Sequence, residues 1–204
     1  MESGAGLRER KKQRTREAIV EAAMRLFAER GFDGTTIADI AAEADIAPRT
    51  FFGYFPSKED VVFSNFEADF EDLRAHLAGR APGETAIAAL RVWITERVAS
   101  RGLGEDEASR RRLVAQSDSL AAHDERIKGR FRDLLAEAVA QDLDDAPEAL
   151  RPRMVAASVI AALEVITPKE GDTATARSPD ESLAVLDQAT TFLDGGLSAL
   201  RSSA

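Results

Sequence analysis

The chain has 204 residues, 44% of them hydrophobic and 31% charged, with a formal net charge of −9. This is a globular balance, long enough for one large domain or two small ones with real cores, and it excludes a globally disordered chain. The absence of cysteine excludes a disulfide framework and any cysteine-based metal site or nucleophile, and no apolar run approaches the roughly 18 residues of a membrane span.

In chain order, the first segment is basic. Residues 1–16, "MESGAGLRERKKQRTR", hold six Lys/Arg against two acids; residues 1–58 hold ten against nine, which leaves the remainder at −10. Such asymmetry fits one end that meets a polyanion and another that repels it, or a solvated basic tail. No apolar stretch follows the basic residues, so the segment is not read as a secretory signal, and a cytoplasmic location is expected.

The periodicity is then helical nearly throughout. Ile19, Ala22, Ala23, Leu26 and Phe27 form one apolar stripe that Gly31 ends. After "GFDGTT", Thr36 with Asp39 three residues on predicts a capped short helix with Ile37, Ile40, Ala41 and Ala44 inside. Pro48 suits the first position of a third helix, which stops before Pro56. Ser57 and Asp60 repeat the capping pattern and predict a long fourth helix through Val62, Phe63, Phe66, Phe70, Leu73 and Leu77.

"GRAPGE" punctuates before a helix through Ile87, Leu90, Trp93, Ile94 and Val98. "SRGLGEDE" breaks again. A charged helix at 110–116 and one through Ile127, Phe131, Leu134, Leu135 and Val139 come next. "DDAPE" introduces an alanine-rich helix at 148–166, "TPKEGDTATARSPDE" reads as a polar linker, and a last helix runs over 179–200. The expected fold class is all-α, with about nine helices and no strand.

Residues 36–54 have the anatomy of a helix-turn-helix. Ala41 is small where two helices must approach, and Ile40, Ala44, Ile46, Phe51 and Tyr54 face a scaffold. The outer face of the second helix keeps Arg49, Thr50 and Gly53, with Phe52 to one side. The geometric use of such a helix is to lie in a DNA major groove.

The stretch "RTREAIVEAAMRLFAERGFDGTTIADIAAEADIAPRTFFGYFPSKEDVV", residues 14–62, resembles the N-terminal DNA-binding domain of TetR-family transcriptional regulators. The resemblance implies a DNA-binding domain over 1–56, with a basic arm, and a helical ligand-binding and dimerisation domain over 57–204. It implies a phosphate contact at Thr36, base-edge readers at Arg49 and Thr50, and phosphate clamps at Tyr54 and Lys58. It also implies that Arg14 and Arg16 reach the flanking backbone or a minor groove.

Three positions depart from the family pattern. Asp45 stands where the turn usually has glycine, and Asp tolerates the left-handed conformation better than most residues. Ala47 caps poorly, at about 1 kcal/mol, but leaves the first amides of the recognition helix open to a phosphate. Phe52 and Gly53 stand where many members carry a Tyr or Arg that reaches a phosphate; neither can donate from a side chain. Gly53 costs about 1 kcal/mol of helix propensity against alanine, as drift or to let the backbone approach DNA closely.

Beyond Lys58 no catalytic constellation, phosphate loop or metal-ligand spacing is visible, and His76 and His123 read as surface or capping residues. Phe66, Phe70, Trp93 and Phe131 either line a ligand cavity, as the resemblance implies, or are plain core. The apolar residues of the last two helices, with Met154, Ile160, Leu163, Leu186, Leu193 and Leu197 named for it, fit a symmetric four-helix dimer contact. The implied function is a ligand-responsive repressor, a homodimer on a palindromic operator in double-stranded DNA. It carries no cofactor or metal and touches no membrane. Its small-molecule effector is unidentified, and the style of the recognition segment is similar to that of members with acyl-CoA-like ligands. The alternatives are a helical enzyme with a vestigial helix-turn-helix and a non-specific nucleoid binder.

Overall fold

The computed structural model describes residues 4–101, 105–166 and 179–202. They form ten α-helices and no strand: α1 (Gly4–Arg30), α2 (Ile37–Glu43), α3 (Pro48–Phe51), α4 (Lys58–Val62), α5 (Phe66–Ala78), α6 (Ala86–Arg101), α7 (Glu105–Gln116), α8 (Asp118–Leu143), α9 (Leu150–Ile166) and α10 (Pro179–Ser202). Of the expected break "SRGLGEDE", residues 102–104 lie outside the described residues and the flanks are helical, ending α6 and opening α7; most of the polar linker, 167–178, also lies outside them.

Two differences from the periodicity reading matter. The helix that carries the Ile19–Phe27 stripe runs back to Gly4, so the basic segment, for which no helix was read, is helical, with Arg8, Arg10, Lys11, Lys12 and Arg14 all exposed on it. The expected fourth helix is two, which makes ten helices rather than nine. The apolar stripe continues across the break, but the backbone does not. Phe63 caps α4 at φ −106°, ψ 34°, and the carbonyl of Ser64 accepts a hydrogen bond from the Arg16 guanidinium. A carbonyl drawn to a side chain is removed from the helical ladder, and Ser64 and Asn65 are weak helix formers.

The chain divides into two compact units, Met1–Asn65 with Ser109–His123, and Phe66–Ala108 with Asp124–Ala204. The division expected at 56/57 falls before α4, whereas the first unit also takes in α4 and residues 109–123. In the first unit, Ile19, Ala22, Ala23, Leu26 and Phe27 of α1 are buried as their spacing predicts, with Phe32, Ile40, Ala41, Phe51 and Phe55 around them. Gly31 stops α1 in the left-handed conformation at φ 75°, its N–H returning to the Phe27 carbonyl at 3.0 Å.

The second unit is a helical bundle in which α5 and α10 pack on α6, and α10 on α9. Its core includes Phe70, Leu73, Leu77, Ile87, Leu90, Leu135, Val139, Val159 and Leu197. One buried ion pair fixes its loop: Arg80 meets Asp142 at 3.1 Å and also donates to the Leu77 and Ala138 carbonyls. The other Asp142 oxygen accepts the Ala86 amide at the start of α6, at 2.7 Å. The further hydrogen bonds of both partners offset the cost of desolvating the two charges.

Candidate nucleic-acid interface

The helix-turn-helix is built from local signals. Thr36 caps α2 through the expected box: its hydroxyl accepts the Asp39 amide at 3.1 Å, and the Asp39 carboxylate accepts the Thr36 amide at 2.9 Å. The Thr36 hydroxyl also donates to the same carboxylate. That bond, and then the one from the Thr36 amide, hold the Asp39 carboxyl below the ordinary aspartate value. Both donors expected to meet a phosphate thus already have a partner.

The turn into α3 passes through Asp45 at φ 53°, the left-handed conformation that the sequence assigns to it. The next amide, Ile46, closes the turn on the Ala41 carbonyl at 2.9 Å. Ala41 is fully buried beneath the turn, which a larger side chain would force open. Ala47 makes no side-chain cap and Pro48 occupies the first turn of α3. The helical winding continues past Phe51, with Gly53, Tyr54 and Phe55 amides returning to the Thr50 and Phe51 carbonyls.

Phe51 and Phe55, 0% and 2% exposed, anchor α3 to the core. Arg49, Phe52 and Gly53 face outward; Thr50 and Tyr54 are half-buried. Among the described contacts Arg49 has no partner. Gly53 lies beyond the last residue of α3, so the helix-propensity cost assigned to it does not apply. A Cβ there would stand 3.2 Å from the Thr50 carbonyl, which would have to give way by a few tenths of an ångström.

Two expected DNA contacts have other work in the fold. Lys58 turns inward: its ammonium donates to the Phe32 carbonyl at 2.9 Å and the Thr35 carbonyl at 3.0 Å, and sits 4.2 Å from the centre of the Phe32 ring. Of its three protons, one is left for a phosphate. Arg16 stacks over the Phe55 ring at 4.5 Å while donating to Ser64, and burial lowers its pKa from the usual arginine value. Arg14, in contrast, is exposed.

Residues 109–123, which the sequence reading left apart from the DNA-binding domain, belong to the same unit. Ser117 donates to Asp33 at 3.1 Å and Ser119 to Glu59 at 2.6 Å. His123, expected at the surface or at a cap, stacks on Phe63 with ring centres 5.0 Å apart and lies 3.7 Å from an Asp60 oxygen. No sequence signal pairs residues so far apart.

In the second unit, Phe66, Phe70 and Phe131 meet one another with ring centres 5.5–5.6 Å apart. Arg130 lies over two of these rings and pairs with Glu67, whose hydrogen bond lowers the Glu67 pKa. Trp93 stands beside Arg97 and donates to Asp72 at 2.8 Å. Three of the four aromatics thus form a cluster flanked by Arg130, and Trp93 packs with them against the core of the second unit.

The residues named for a subunit contact divide. Leu186 and Leu197, 4% and 0% exposed, are protomer core and have no surface to offer a partner; Ile160, Leu163 and Leu193 pack half-buried against that core. Met154 is exposed at 49%. Phe192, 81% exposed, and Leu150, 79% exposed, are apolar residues on the surface of α10 and α9 that were not named. Phe192 lies about 100° round α10 from its neighbour Leu193, off the leucine stripe.

Among the described residues, no group of three or more potential ligands is placed to hold a metal, and no helix is long and apolar enough to cross a membrane. The family model "Bacterial regulatory proteins, tetR family" matches residues 19–64, and the model "MftR C-terminal domain" matches residues 84–198. The HTH-type transcriptional regulator TcmR of Streptomyces glaucescens is 35% identical over 166 residues, covering 76% of this chain and 72% of TcmR. Two solved structures share the fold. NalD, the secondary repressor of the MexAB-OprM efflux pump in Pseudomonas aeruginosa, has TM-score 0.63 at 21% identity, covering 88% of this chain and 96% of NalD. Thermus thermophilus FadR, a repressor in complex with lauroyl-CoA, has TM-score 0.54 at 22% identity, covering 87% and 92%. These relatives are regulators, not enzymes. With one model on the helix-turn-helix and another across most of the helical bundle, the chain belongs to the TetR family of DNA-binding transcriptional regulators.

Proposed function

We propose that the chain is a ligand-responsive repressor that acts in the cytoplasm as a homodimer on a palindromic operator. The observation that carries the reading is the outward face of α3, where Arg49 stands exposed at the start of a helix anchored by Phe51 and Phe55. Arg49 takes guanine O6 and N7 together, and Thr50 meets a base edge beside it. Phosphates lie against Tyr54, the uncapped first turn after Ala47, and Arg14 on the basic extension of α1. The third proton of Lys58 adds to them, and Thr36 reaches a phosphate only by exchanging a bond to Asp39 for it. The net charge of −10 beyond residue 58 keeps the rest of the protein off the DNA.

Two subunits join through the exposed sides of α9 and α10, with Met154 and Phe192 at the contact, which sets two recognition helices roughly 34–36 Å apart. A small molecule parts the Phe66, Phe70 and Phe131 cluster and favours a different spacing. It does so only because it binds the two conformations unequally. The lauroyl-CoA held by Thermus thermophilus FadR makes an acyl chain the first effector to test.

The deciding experiment selects a binding sequence from random duplexes, then titrates the selected and a scrambled duplex over a range of salt. Preference for the selected duplex is expected, and Arg49→Ala should cut it by roughly 5- to 150-fold, the worth of about 1–3 kcal/mol for one bidentate pair. Equal affinity for both duplexes would leave only non-specific binding.

A further inference from the structure

A single exposed apolar residue is ordinary on a protein surface. Phe52 differs because of what surrounds it. It is 58% exposed at the C-cap of α3, where Arg49, three residues before it, and Gly53, one after, are exposed as well. The hydrogen bonds past Phe51 keep this stretch wound as a tight helical turn, so residues three apart lie nearly above one another. The ring is also held: Phe51, fully buried, meets it edge-on at 5.7 Å and 83°. Gly53 adds no side chain beyond it. The surface here therefore offers a guanidinium and, three residues on, an apolar ring packed edge-on against Phe51.

A phenylalanine has no donor for a phosphate or a base edge. The chemistry in a major groove that suits it is the C5-methyl of thymine, which no other unmodified base pair offers. We infer that Phe52 is a specificity-determining residue of the recognition helix and selects a thymine in each half-site by covering its methyl group. Three residues of helix advance about 4.5–6 Å, against about 3.4 Å per base step, so the thymine lies one or two base pairs from the guanine that Arg49 reads. This rests on the operator-binding function proposed above.

The test uses the full chain and its selected duplex, with thymines replaced one at a time by deoxyuridine, which removes only the methyl. Wild-type protein should bind about fourfold more weakly at one thymine per half-site, the effect of about 0.8 kcal/mol for one buried methyl-sized group. Phe52→Ala should bind the thymine and deoxyuridine duplexes equally at that position, and Phe52→Leu should keep most of the preference. Wild-type affinity that ignores every replacement overturns the inference, as does Phe52→Ala protein that still discriminates. If Phe52→Ala fails to fold, the wild-type and Phe52→Leu arms decide. A selection that yields no consensus instead sinks the operator reading itself, whereas a clear consensus indifferent to the methyl sinks only the role of Phe52.

Discussion

Replacing Lys58 by methionine separates two roles for one cation. Methionine keeps most of the apolar stem and removes the ammonium. In the structure that ammonium serves the carbonyls of Phe32 and Thr35, residues that are themselves 3% and 1% exposed. Hydrogen bonds from a charged donor contribute about 1.5–3 kcal/mol each when buried. Lys58 is half-buried, which discounts each bond to about 1 kcal/mol, and losing both together with the Phe32 ring contact should cost about 2–3 kcal/mol. For a chain of this length that lowers the melting temperature by roughly 4–10 °C. Urea unfolding followed by far-UV circular dichroism measures it. Trp93, the one tryptophan, lies in the other compact unit, so its fluorescence should shift less than the dichroism. Operator affinity should change modestly, with the salt slope reduced by about one at most. An unfolding midpoint equal to wild type, with operator binding sharply weakened, would show that the ammonium belongs to a phosphate and that the two carbonyls do not need it.

Three further outcomes are expected. Asp45→Ala should destabilise the protein by about 1–2 kcal/mol, because alanine resists the φ of 53° that Asp45 adopts, whereas Asp45→Gly should be close to neutral; thermal melts of both variants check this. The Asp39 pKa is lowered in the fold, so its contribution to stability is present above the ordinary aspartate value and lost as pH falls through the lowered one. Melts of wild type and Asp39→Asn should therefore converge on acidification through that window, and a constant gap between them would contradict the capping role. Phe192→Glu should shift the protein from dimer to monomer in sedimentation velocity at micromolar concentration, while Leu197→Glu, which places a charge in the core, should unfold the second unit instead. A Phe192→Glu protein that remains fully dimeric would place the subunit contact elsewhere.

What the sequence determined by itself is local in origin. The helical stripe of α1, its stop at Gly31, the Thr36–Asp39 box, the left-handed Asp45 and the outward face of Arg49 follow from spacing and backbone preference within a few residues. Those signals were enough to read an all-α chain with a helix-turn-helix. Tertiary structure decided the questions that depend on distant partners. Lys58 finds its carbonyls 26 and 23 residues back, and Arg16 finds Ser64 48 residues on. A cation at the edge of a DNA-binding domain suits a phosphate or a carbonyl equally well in sequence, and only the fold says which is within reach. The break after α4 has the same cause, since the apolar stripe runs straight through it. On α10 the leucine stripe identified a buried face, but not whether its own protomer or a second subunit covers it; the fold turned Leu186 and Leu197 inward and left Phe192 outside. Periodicity registers that a side is apolar, whereas which neighbour covers it is set by how the helices pack.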